Sequence, residues 1–456
     1  MNRDALQRLG KEDLIALVLA QADVIAKLTE QAALLEKRVA DLETRAGKPP
    51  KTPDNSSIPP SQGHKPNRAE RRAAQRKGRP GVTRALAENP DRVIEARAEA
   101  CPHCAHGLAP EDQEAFHAYD HIDLPPIRPV VTRVHRHRGI CPCCARAFQA
   151  PVPQGLEPGS PFGPGIAALV LHLHITQAIG FERLVKLMDE VFGLTLSEGA
   201  VANILARAEA RMIVAAEKIA EEVRASAVVA SDETSARVKG KTWWQWVMHC
   251  STAIYHVITD SRGAKVVADF LQGATPEVWV ADRYGAQNGH ALERQLCLAH
   301  LLRDAQYAID EGDSVFAPAF KALLLRAIAI GKRRQTLKDS TLAQYRADLD
   351  RRLTTLLAPP PDTAAGRKLI KGVKKCRNDL FLFIVRRDVP YTNNGSERAL
   401  RPSVIFRKVT GCFRSHWGAR LYAAAVSVIA TGRLRGKSAL QAIQDVIAPA
   451  PALKPA

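Results

Sequence analysis

The sequence predicts a multidomain α+β protein, and three features support that prediction. A heptad pattern runs through residues 4–45, which is typical of a coiled-coil helix. Two closely spaced cysteine pairs follow, within residues 101–104 and 141–144. Two short apolar segments, residues 227–230 and 278–281, each lead within two residues to an aspartate. Their length and β-branched content favour buried strands, so helical, cysteine-bearing and sheet-forming parts alternate along one chain.

Composition and charge restrict the class of partner. The 456 residues are enough for two to four domains, and 46% of them are hydrophobic, as in soluble globular proteins. The net charge of +18 favours a polyanion, either nucleic acid or an anionic membrane. We expect no membrane partner, because the longest apolar run, residues 166–175, is about half a bilayer span and contains two histidines. No signal-peptide pattern follows Met1.

The nine cysteines indicate a reducing compartment. Four of them form two close pairs, which favours metal binding in a reducing cytoplasm over a disulfide framework. We therefore expect a cytoplasmic protein.

Residues 1–46 are predicted to form a leucine-zipper-like helix. One heptad position is occupied by Leu14, Gln21, Leu28, Leu35 and Leu42. Apolar residues lie four positions after the first four of these, so the pattern is an a/d seam about four heptads long. The favoured interpretation is a short coiled coil that makes a homodimer or a higher oligomer. The alternative is a single amphipathic helix packed on its own domain.

Residues 47–95 are predicted to be a basic, Pro-rich linker. Ten Lys or Arg residues but only two acidic ones lie in residues 48–84, and such a composition cannot bury a core. The linker is either a solvated tether or a segment that contacts DNA phosphates without sequence preference. The candidate DNA-binding residues are Arg68, Arg71, Arg72, Arg76 and Lys77.

Residues 96–152 are predicted to form a zinc ribbon. Four thiolates from two CxxC pairs, 36 residues apart, can hold one tetrahedral Zn²⁺. The candidate ligands are Cys101, Cys104, Cys141 and Cys144, with Cys143 as a competing ligand. Alternating residues at 118–124 and 130–137, separated by two prolines, favour two strands between the pairs. A four-thiolate site leaves no position open for a catalytic water, so the predicted zinc is structural.

Residues 160–226 are predicted to be helical. An amphipathic helix over residues 181–192 ends at Gly193, and Ser197 with Glu198 begins the next one. Helix, short turn and capped second helix are compatible with a DNA-binding helix-turn-helix. Packing of three helices without DNA contact fits the same pattern.

Residues 227–291 are predicted to begin the catalytic core. Strands are expected at residues 227–230, 244–249, 252–259 and 278–281, with a short helix over 264–271. Three hairpin-connected strands, a helix and a further strand match the order of an RNase H-like α/β sheet. Asp232 and Asp282 follow buried strands, where a carboxylate is costly unless it is paired or bound to a metal.

The third candidate carboxylate is Glu397, in the first turn of a predicted helix. Two aspartates and a glutamate can hold two Mg²⁺ ions, with Mn²⁺ as an alternative ion, and such a site acts on phosphodiesters. Without metal, three converging carboxylates would raise each other's pKa. Basic residues near these carboxylates are candidates for phosphate contacts: Lys239, Lys241, Arg398, Arg401, Arg407 and Lys408.

The 114 residues between Asp282 and Glu397 predict a mainly helical insertion, assigned to residues 292–390. Cys297 and His300 share one helical face near its start. They are either a buried thiol with a satisfied imidazole or part of a DNA-binding pocket. Residues 391–448 then complete the core with the helix of Glu397 and further helices, and the tail after them is rich in Pro and Ala.

Several motifs together carry a family resemblance. They are Ser231-Asp-Glu-Thr with the following Trp-Trp-Gln-Trp, Ala281-Asp-Arg-Tyr, Cys297-Leu-Ala-His-Leu-Leu-Arg, Asn393-Asn-Gly-Ser-Glu-Arg-Ala-Leu-Arg-Pro, Arg407-Lys-Val-Thr-Gly-Cys-Phe-Arg-Ser and Ala430-Thr-Gly-Arg. These residues, and the order of zipper, linker, zinc knuckles and core, resemble the TnpC-type DDE transposases of bacterial insertion sequences (the insertion-sequence-66 family). The chain departs from that pattern at Arg283, where a glycine is common, and after Tyr284, where a second aromatic residue is lacking.

The resemblance implies a function as well as a site. It implies Asp232, Asp282 and Glu397 as the catalytic triad of an enzyme that binds terminal inverted repeats, frees a 3′-OH with Mg²⁺ and joins it to target DNA. It also implies double-stranded DNA as the partner, accessory proteins encoded by the same element, and a bacterial protein that associates with the nucleoid. Two alternatives are an RNase H-like nuclease that cuts without joining, and a zinc-containing, zipper-dimerised DNA-binding regulator. The regulator would leave the two Asp-terminated strands unexplained.

Overall fold

The computed structural model describes residues 10–46, 49, 51–56 and 84–447. Within them the chain is a mixed α/β protein with thirteen helices, one two-stranded sheet and one five-stranded sheet. These residues form two compact units. One contains residues 84–163 and 179–203, and the other contains the preceding described residues, 164–178 and everything from 204 onwards. The five linker candidates from Arg68 to Lys77 lie outside the described residues.

The predicted N-terminal helix is present as α1, Lys11–Ala46. The apolar side chains of its seam face solvent: Val18, Ile25, Leu28 and Leu35 are each more than half exposed. A single chain thus leaves this stripe uncovered, as expected if a second helix normally covers it. The coiled coil itself stays a prediction.

The cysteine-bearing segment has its two strands at other positions than expected. Strands β1, Arg138–Ile140, and β2, Ala147–Gln149, pair in an antiparallel hairpin around the second cysteine pair. The strands predicted at residues 118–124 and 130–137 are wrong, because no strand forms in these described residues. Val130 is 93% exposed. An alternating segment forms a strand only where a neighbouring chain completes its hydrogen bonds.

The helices before the core are α2, Pro164–Leu171, then α3, Phe181–Phe192, and α4, Glu198–Arg224. The predicted end of α3 is confirmed, since Gly193 has the left-handed φ of 59° and its amide donates back into the helix. The predicted cap of α4 is confirmed too, because Ser197 Oγ accepts a hydrogen bond from the amide of Ala200. The helix-turn-helix stays a prediction.

The central sheet has five strands in the order β5-β4-β3-β6-β7. Their bounds are Val228–Val238 for β3, Lys241–His249 for β4, Ile254–Thr259 for β5, Val278–Ala281 for β6 and Glu293–Leu296 for β7. Strands β3, β4 and β5 are antiparallel neighbours, whereas β6 runs parallel to both β3 and β7. Helix α5, Lys265–Leu271, connects β5 to β6. The predicted succession of three strands, a helix and a strand is therefore confirmed.

The segment after Asp282 forms most of a helical layer on the sheet. Its helices are α6, Leu298–Asp310, α7, Phe316–Arg333, α8, Asp339–Leu356, α9, Ala364–Lys375, and α10, Leu382–Val385. Their apolar side chains share one core with Ala230, Val278, Val280 and Leu296 of the sheet. The expectation of helix from residue 292 is wrong at the start, because the short β7 pairs with β6 there. Sheet pairing overrides the weak local preference of four residues.

Three helices complete the sheet layer: α11, Asn394–Thr410, α12, His416–Leu434, and α13, Ala439–Ile447. Helix α12 covers edge strand β5, where the Ser427 hydroxyl accepts a 2.8 Å hydrogen bond from the amide of His256. Such side-chain bonds protect an edge from pairing with other chains. Helix α11 continues through Pro402 rather than restarting there. Within the part of the chain that the structure describes, no helix is long and apolar enough to cross a membrane.

Candidate active site

The two candidate aspartates lie next to each other at the centre of the sheet. Asp282 follows the end of β6 as predicted. The prediction that a strand ends just before Asp232 is wrong, because β3 continues through Asp232 to Val238 and pairs with β4 along that length.

The parallel register of β3 and β6 pairs Val228 with Val278 and Ala230 with Val280. Two residues further along the same register come Asp232 and Asp282. The pairing of β3 with β6 crosses a 50-residue separation, so this proximity is a property of the tertiary structure.

Side-chain alternation places both aspartates on one face of the sheet. Ala230 and Val280 pack into the core shared with the helical layer, and Asp232 and Asp282 follow them at even spacing. Glu233 has the opposite parity, and its carboxylate accepts bonds from Arg262 and Gln287 instead. As expected from the strand pattern, the two neighbouring acids on β3 serve different faces.

The electrostatics of this region favour a bound cation. Burial raises the pKa of Asp232 most, the carboxylates of Glu233 and Asp282 raise it further, and together they bring it to about 7. Burial also raises the pKa of Glu233, with Asp282 adding to the shift. Three acidic groups thus oppose each other's ionisation, a cost that a cation between Asp232 and Asp282 would relieve.

Backbone amides orient the two aspartates. The Glu233 amide donates a 2.9 Å hydrogen bond to Asp232 Oδ1, and the Tyr284 amide donates a 2.8 Å bond to Asp282 Oδ1. Each bond fixes one oxygen and so sets the direction of the other. A preorganised metal site requires ligand oxygens that are held in fixed directions in this way.

The helix that carries Glu397 is fastened to β3 beside Asp232. The Asn393 side chain donates a 2.7 Å hydrogen bond to the carbonyl oxygen of Ser231, and the Ser396 hydroxyl donates a 2.6 Å bond to Asn393 Oδ1. Both side chains are buried. Glu397 follows Ser396 in the first turn of α11, and it is partly exposed. The anchor therefore brings Glu397 to the part of β3 that carries Asp232.

Two further residues complete this anchor. His249 Nε2 lies 3.0 Å from the Ser396 hydroxyl, and burial lowers the pKa of His249, which favours the neutral ring. A Cβ atom at Gly395 would lie 2.7 Å from the ring of His249, so only glycine permits this approach. The motif from Asn393 to Ser396 is thus explained by packing around one helix start.

Cys297 and His300 join the same region. The Asn393 amide donates a 3.1 Å hydrogen bond to Cys297 Sγ, which ties the start of α6 to the start of α11. Burial disfavours the charged form of His300, but the Cys297 thiol and the Asp282 carboxylate outweigh burial and raise the pKa of His300 to about 9. His300 therefore lies near enough to Asp282 for their charges to interact, and Cys297 connects the start of α6 to the start of α11.

A hydrogen-bond network that the sequence did not reveal holds Glu233 on the face of β3 opposite to Asp232. Arg262 donates two hydrogen bonds to Glu233, whose side chain is 2% exposed, and its guanidinium lies 4.5 Å from the ring centroid of Trp244 and 4.0 Å from that of Tyr284. Gln287 bonds Glu233 as well and accepts a bond from Trp279. In the sequence Arg262 belongs to a turn, and no local pattern links it to Glu233.

The candidate phosphate-binding residues divide into two groups. Arg407 donates to the Thr234 hydroxyl at 3.1 Å and also contacts the Ser235 carbonyl oxygen, so its guanidinium holds α11 against β3. The other described candidates have exposed side chains: Lys239, Lys241, Arg398, Arg401 and Lys408. Exposed cations of this kind can reach a phosphate backbone without rearranging the core.

The described residues contain no group of three or more His, Cys, Asp or Glu side chains placed to hold a metal. Asp232 and Asp282 come together as a pair, and Glu397 is brought to their region by its helix. Of the predicted carboxylates, the structure brings Asp232 and Asp282 together, and the anchored start of α11 carries Glu397.

The two cysteine pairs have matching backbones. The Cys101 amide donates to the His106 carbonyl oxygen, and the Cys141 amide donates to that of Arg146, both at 2.8 Å. In each turn the amides of following residues point at the first sulfur and lower the pKa of its thiol. Amides that stabilise a thiolate suit a metal knuckle, although the four sulfurs do not form one cluster in the described residues.

Comparison with known proteins identifies one family. The family model described as "Transposase IS66 family" matches residues 159–421, more than half of the chain. The matched range includes the central sheet, the helical layer and all three candidate carboxylates. No curated protein matches the chain.

Proposed function

This chain belongs to the IS66 family of transposases, as its motifs predicted, and on that premise we propose that it cleaves and joins DNA by a DDE mechanism. Asp232, Asp282 and Glu397 are the proposed catalytic carboxylates. The substrates are the terminal inverted repeats of an insertion sequence and a double-stranded target. The reaction frees a 3′-OH at the element end and directs it at a phosphodiester of the target.

One observation carries this proposal: Asp232 and Asp282 lie in adjacent register on one face of the sheet, where burial and repulsion raise the pKa of Asp232 to about 7. The strand order supports the same reading, because three antiparallel strands followed by parallel strands beside the first are the arrangement of an RNase H-like core. A buried carboxyl group with a strongly raised pKa, as at Asp232, favours a catalytic site over a structural one.

The residues fit divalent magnesium in part. Asp232 and Asp282 would hold the ion together, and Glu397 would complete the site from α11. When bound, Mg²⁺ or Mn²⁺ supplies the positive charge that activates an attacking oxygen and stabilises a leaving one. The chain's own contribution is orientation: the amides of Glu233 and Tyr284 aim the aspartates, and Asn393 holds the helix of Glu397.

The remaining parts would deliver DNA to this centre. Exposed Lys239, Lys241, Arg398, Arg401 and Lys408 are proposed to contact phosphates near it. The cysteine knuckles are proposed to hold a structural Zn²⁺, and the apolar stripe of α1 to form a coiled-coil dimer. Proteins of the same element are proposed as accessory partners.

A strand-transfer assay tests the proposed function. The full chain is incubated with Mg²⁺, a labelled duplex ending in a flanking inverted repeat and a target plasmid. We expect joined product from the wild type and none from Asp232→Asn, Asp282→Asn or Glu397→Gln. Asp260→Asn is a matched control, since Asp260 is exposed at the end of β5, and it should join like the wild type.

The other outcomes distinguish the alternatives. Cleavage without joining would indicate a nuclease, and tight binding without either reaction would indicate a DNA-binding regulator. Joining by Asp232→Asn would show that the assigned triad is wrong.

A further inference from the structure

Helix α9 of the helical layer carries a concentrated positive charge. No acidic residue lies between residues 364 and 378. The basic side chains of this helix are all exposed: Arg367, Lys368, Lys371, Lys374 and Lys375. The opposite side of the helix is buried in the core through Leu369, Ile370 and Val373. Helix α9 therefore has one apolar and one cationic face.

The spacing of the lysines makes a continuous stripe. Lys368, Lys371 and Lys375 are three and four residues apart, so they lie above one another on the solvent side. At 1.5 Å per residue the stripe is roughly 10 Å long. Each strand of duplex DNA carries one phosphate per ~3.4 Å of axis, so about three phosphates match this length.

Three of the five basic side chains of α9 are not neutralised by an ion pair within the described residues. On the preceding helix α8, by contrast, Arg351 and Arg352 both pair with Asp348. Among the described residues no ion pair involves Lys371, Lys374 or Lys375. Like charges at helical spacing repel each other, so a face of this kind is stabilised by an external polyanion.

The stripe lies close to Arg283, which is next to Asp282 in the chain. Arg283, the residue after Asp282, pairs with Asp304 of α6. A Cβ atom at Gly372 would lie 2.9 Å from Arg283 Nη1, so the guanidinium lies against the backbone of α9. Lys368 lies one turn before Gly372. Burial raises the pKa of Asp304, and the charges of Arg283 and Lys368 both act to lower it. A DNA strand that reaches Asp282 therefore passes close to this helix.

We propose that Lys368, Lys371 and Lys375 form a binding surface for the phosphate backbone of duplex DNA next to the catalytic centre. The inference rests on the proposed function for the identity of the polyanion. Phosphate contacts carry no sequence information, so this surface positions the duplex and leaves the choice of element end to other parts of the chain.

The test uses the full chain with Lys368→Gln, Lys371→Gln and Lys375→Gln combined. Binding to an element-end duplex and to an unrelated duplex is measured between 50 and 200 mM salt. We expect weaker binding to both duplexes and a slope of log affinity against log salt that is smaller by about 2 to 3. The control combines Lys218→Gln, Lys265→Gln and Lys332→Gln, exposed lysines of three other helices, and should keep the wild-type slope.

A second measurement does not depend on the variants folding normally. Lysine acetylation of the wild type, read by mass spectrometry, should fall at Lys368, Lys371 and Lys375 when duplex DNA is added. Unchanged acetylation, or an unchanged salt slope in the triple variant, would overturn the proposed surface. So would protection that appears at high protein concentration without DNA, because a second copy of the chain would then cover the helix.

These results separate the surface from the reaction. If the wild type joins DNA but the lysines are unprotected, the surface is wrong and the proposed function stands. If the lysines are protected but the wild type neither cuts nor joins, the surface stands and the proposed reaction is wrong.

Discussion

The side chain of Asn393 donates a 2.7 Å hydrogen bond to the backbone carbonyl oxygen of Ser231, although the two residues are 162 positions apart. Ser231 directly precedes Asp232, and Asn393 begins the turn that carries Glu397. One buried hydrogen bond thus couples the strand of the first candidate carboxylate to the helix of the last.

Replacement of Asn393 should disable joining more than DNA binding. Asn393→Ala removes the hydrogen bonds that its side chain makes to the Ser231 carbonyl oxygen and to the Ser396 hydroxyl, at a cost of roughly 1–3 kcal/mol. We expect a free energy of unfolding lower by that amount in urea titrations, and joined product reduced at least tenfold. The adjacent Asn394→Ala is the control, because Asn394 is exposed. Equal effects of the two changes would contradict the anchoring role.

A methyl group at Gly395 should displace the helix of Glu397. The added Cβ of Gly395→Ala would lie 2.7 Å from the His249 ring, so the helix or the ring must shift. We expect reduced joining with near-normal binding to element ends. Gly165→Ala, which meets nothing within 4 Å, should behave as the wild type in both assays. Full activity of Gly395→Ala would show that Glu397 tolerates this shift.

The stability of metal-free protein should depend on pH through Asp232. Its pKa of about 7 exceeds that of an unfolded aspartate, about 4, so the fold favours the neutral form. The stability that this group contributes is full below pH ~4 and is lost as pH rises to about 7. The Asn variant avoids that loss, and its advantage in free energy of unfolding should grow by up to ~3 kcal/mol between pH 5 and pH 8.

Urea unfolding of the wild type and Asp232→Asn with a chelator at both pH values measures this growth. An advantage that does not change with pH would refute the raised pKa. Addition of Mg²⁺ at pH 8 should stabilise the wild type and leave Asp232→Asn nearly unchanged, because the ion needs the carboxylate.

Removal of the Arg262 guanidinium should destabilise the sheet through Glu233. In Arg262→Ala, the Glu233 carboxylate stays buried, with its side chain 2% exposed, and keeps only the hydrogen bond from Gln287. We expect this loss to lower the free energy of unfolding by roughly 1–3 kcal/mol. Glu233→Gln in the same chain should recover part of that loss, since the buried charge is then gone. A double-mutant cycle by urea unfolding measures the coupling. Additive effects would show that the pair is energetically independent.

The cysteine knuckles should bind about one zinc ion per chain, as a four-thiolate site requires. Metal analysis of Cys101→Ser and of Cys141→Ser should show a loss of most of that zinc, because each change removes a thiolate. Cys143→Ser is the matched control: Cys143 lies in the same turn as Cys141 and is exposed. A zinc content that falls only with Cys143→Ser would reassign the ligands.

The sequence alone determined the elements that depend on local patterns. The short β-branched runs before Asp232 and Asp282 became parts of central strands because burial on both faces selects such residues, although β3 continues past Asp232 to Val238. Gly193 ended α3, Ser197 capped α4, and the motifs around Asp232, Asp282 and Glu397 were sufficient to indicate the family. Alternation alone misled at residues 118–137, where no neighbouring strand supplies hydrogen bonds.

The tertiary structure decided which of these elements meet. The register that sets Asp282 beside Asp232, the bond from Asn393 to Ser231, and the enclosure of Arg262 by Trp244 and Tyr284 all join distant segments. Such contacts depend on how the sheet and helices pack, because the free energy of burying and pairing polar groups depends on the whole surroundings. A local stretch of sequence therefore does not indicate which distant residue will contact it in the folded protein.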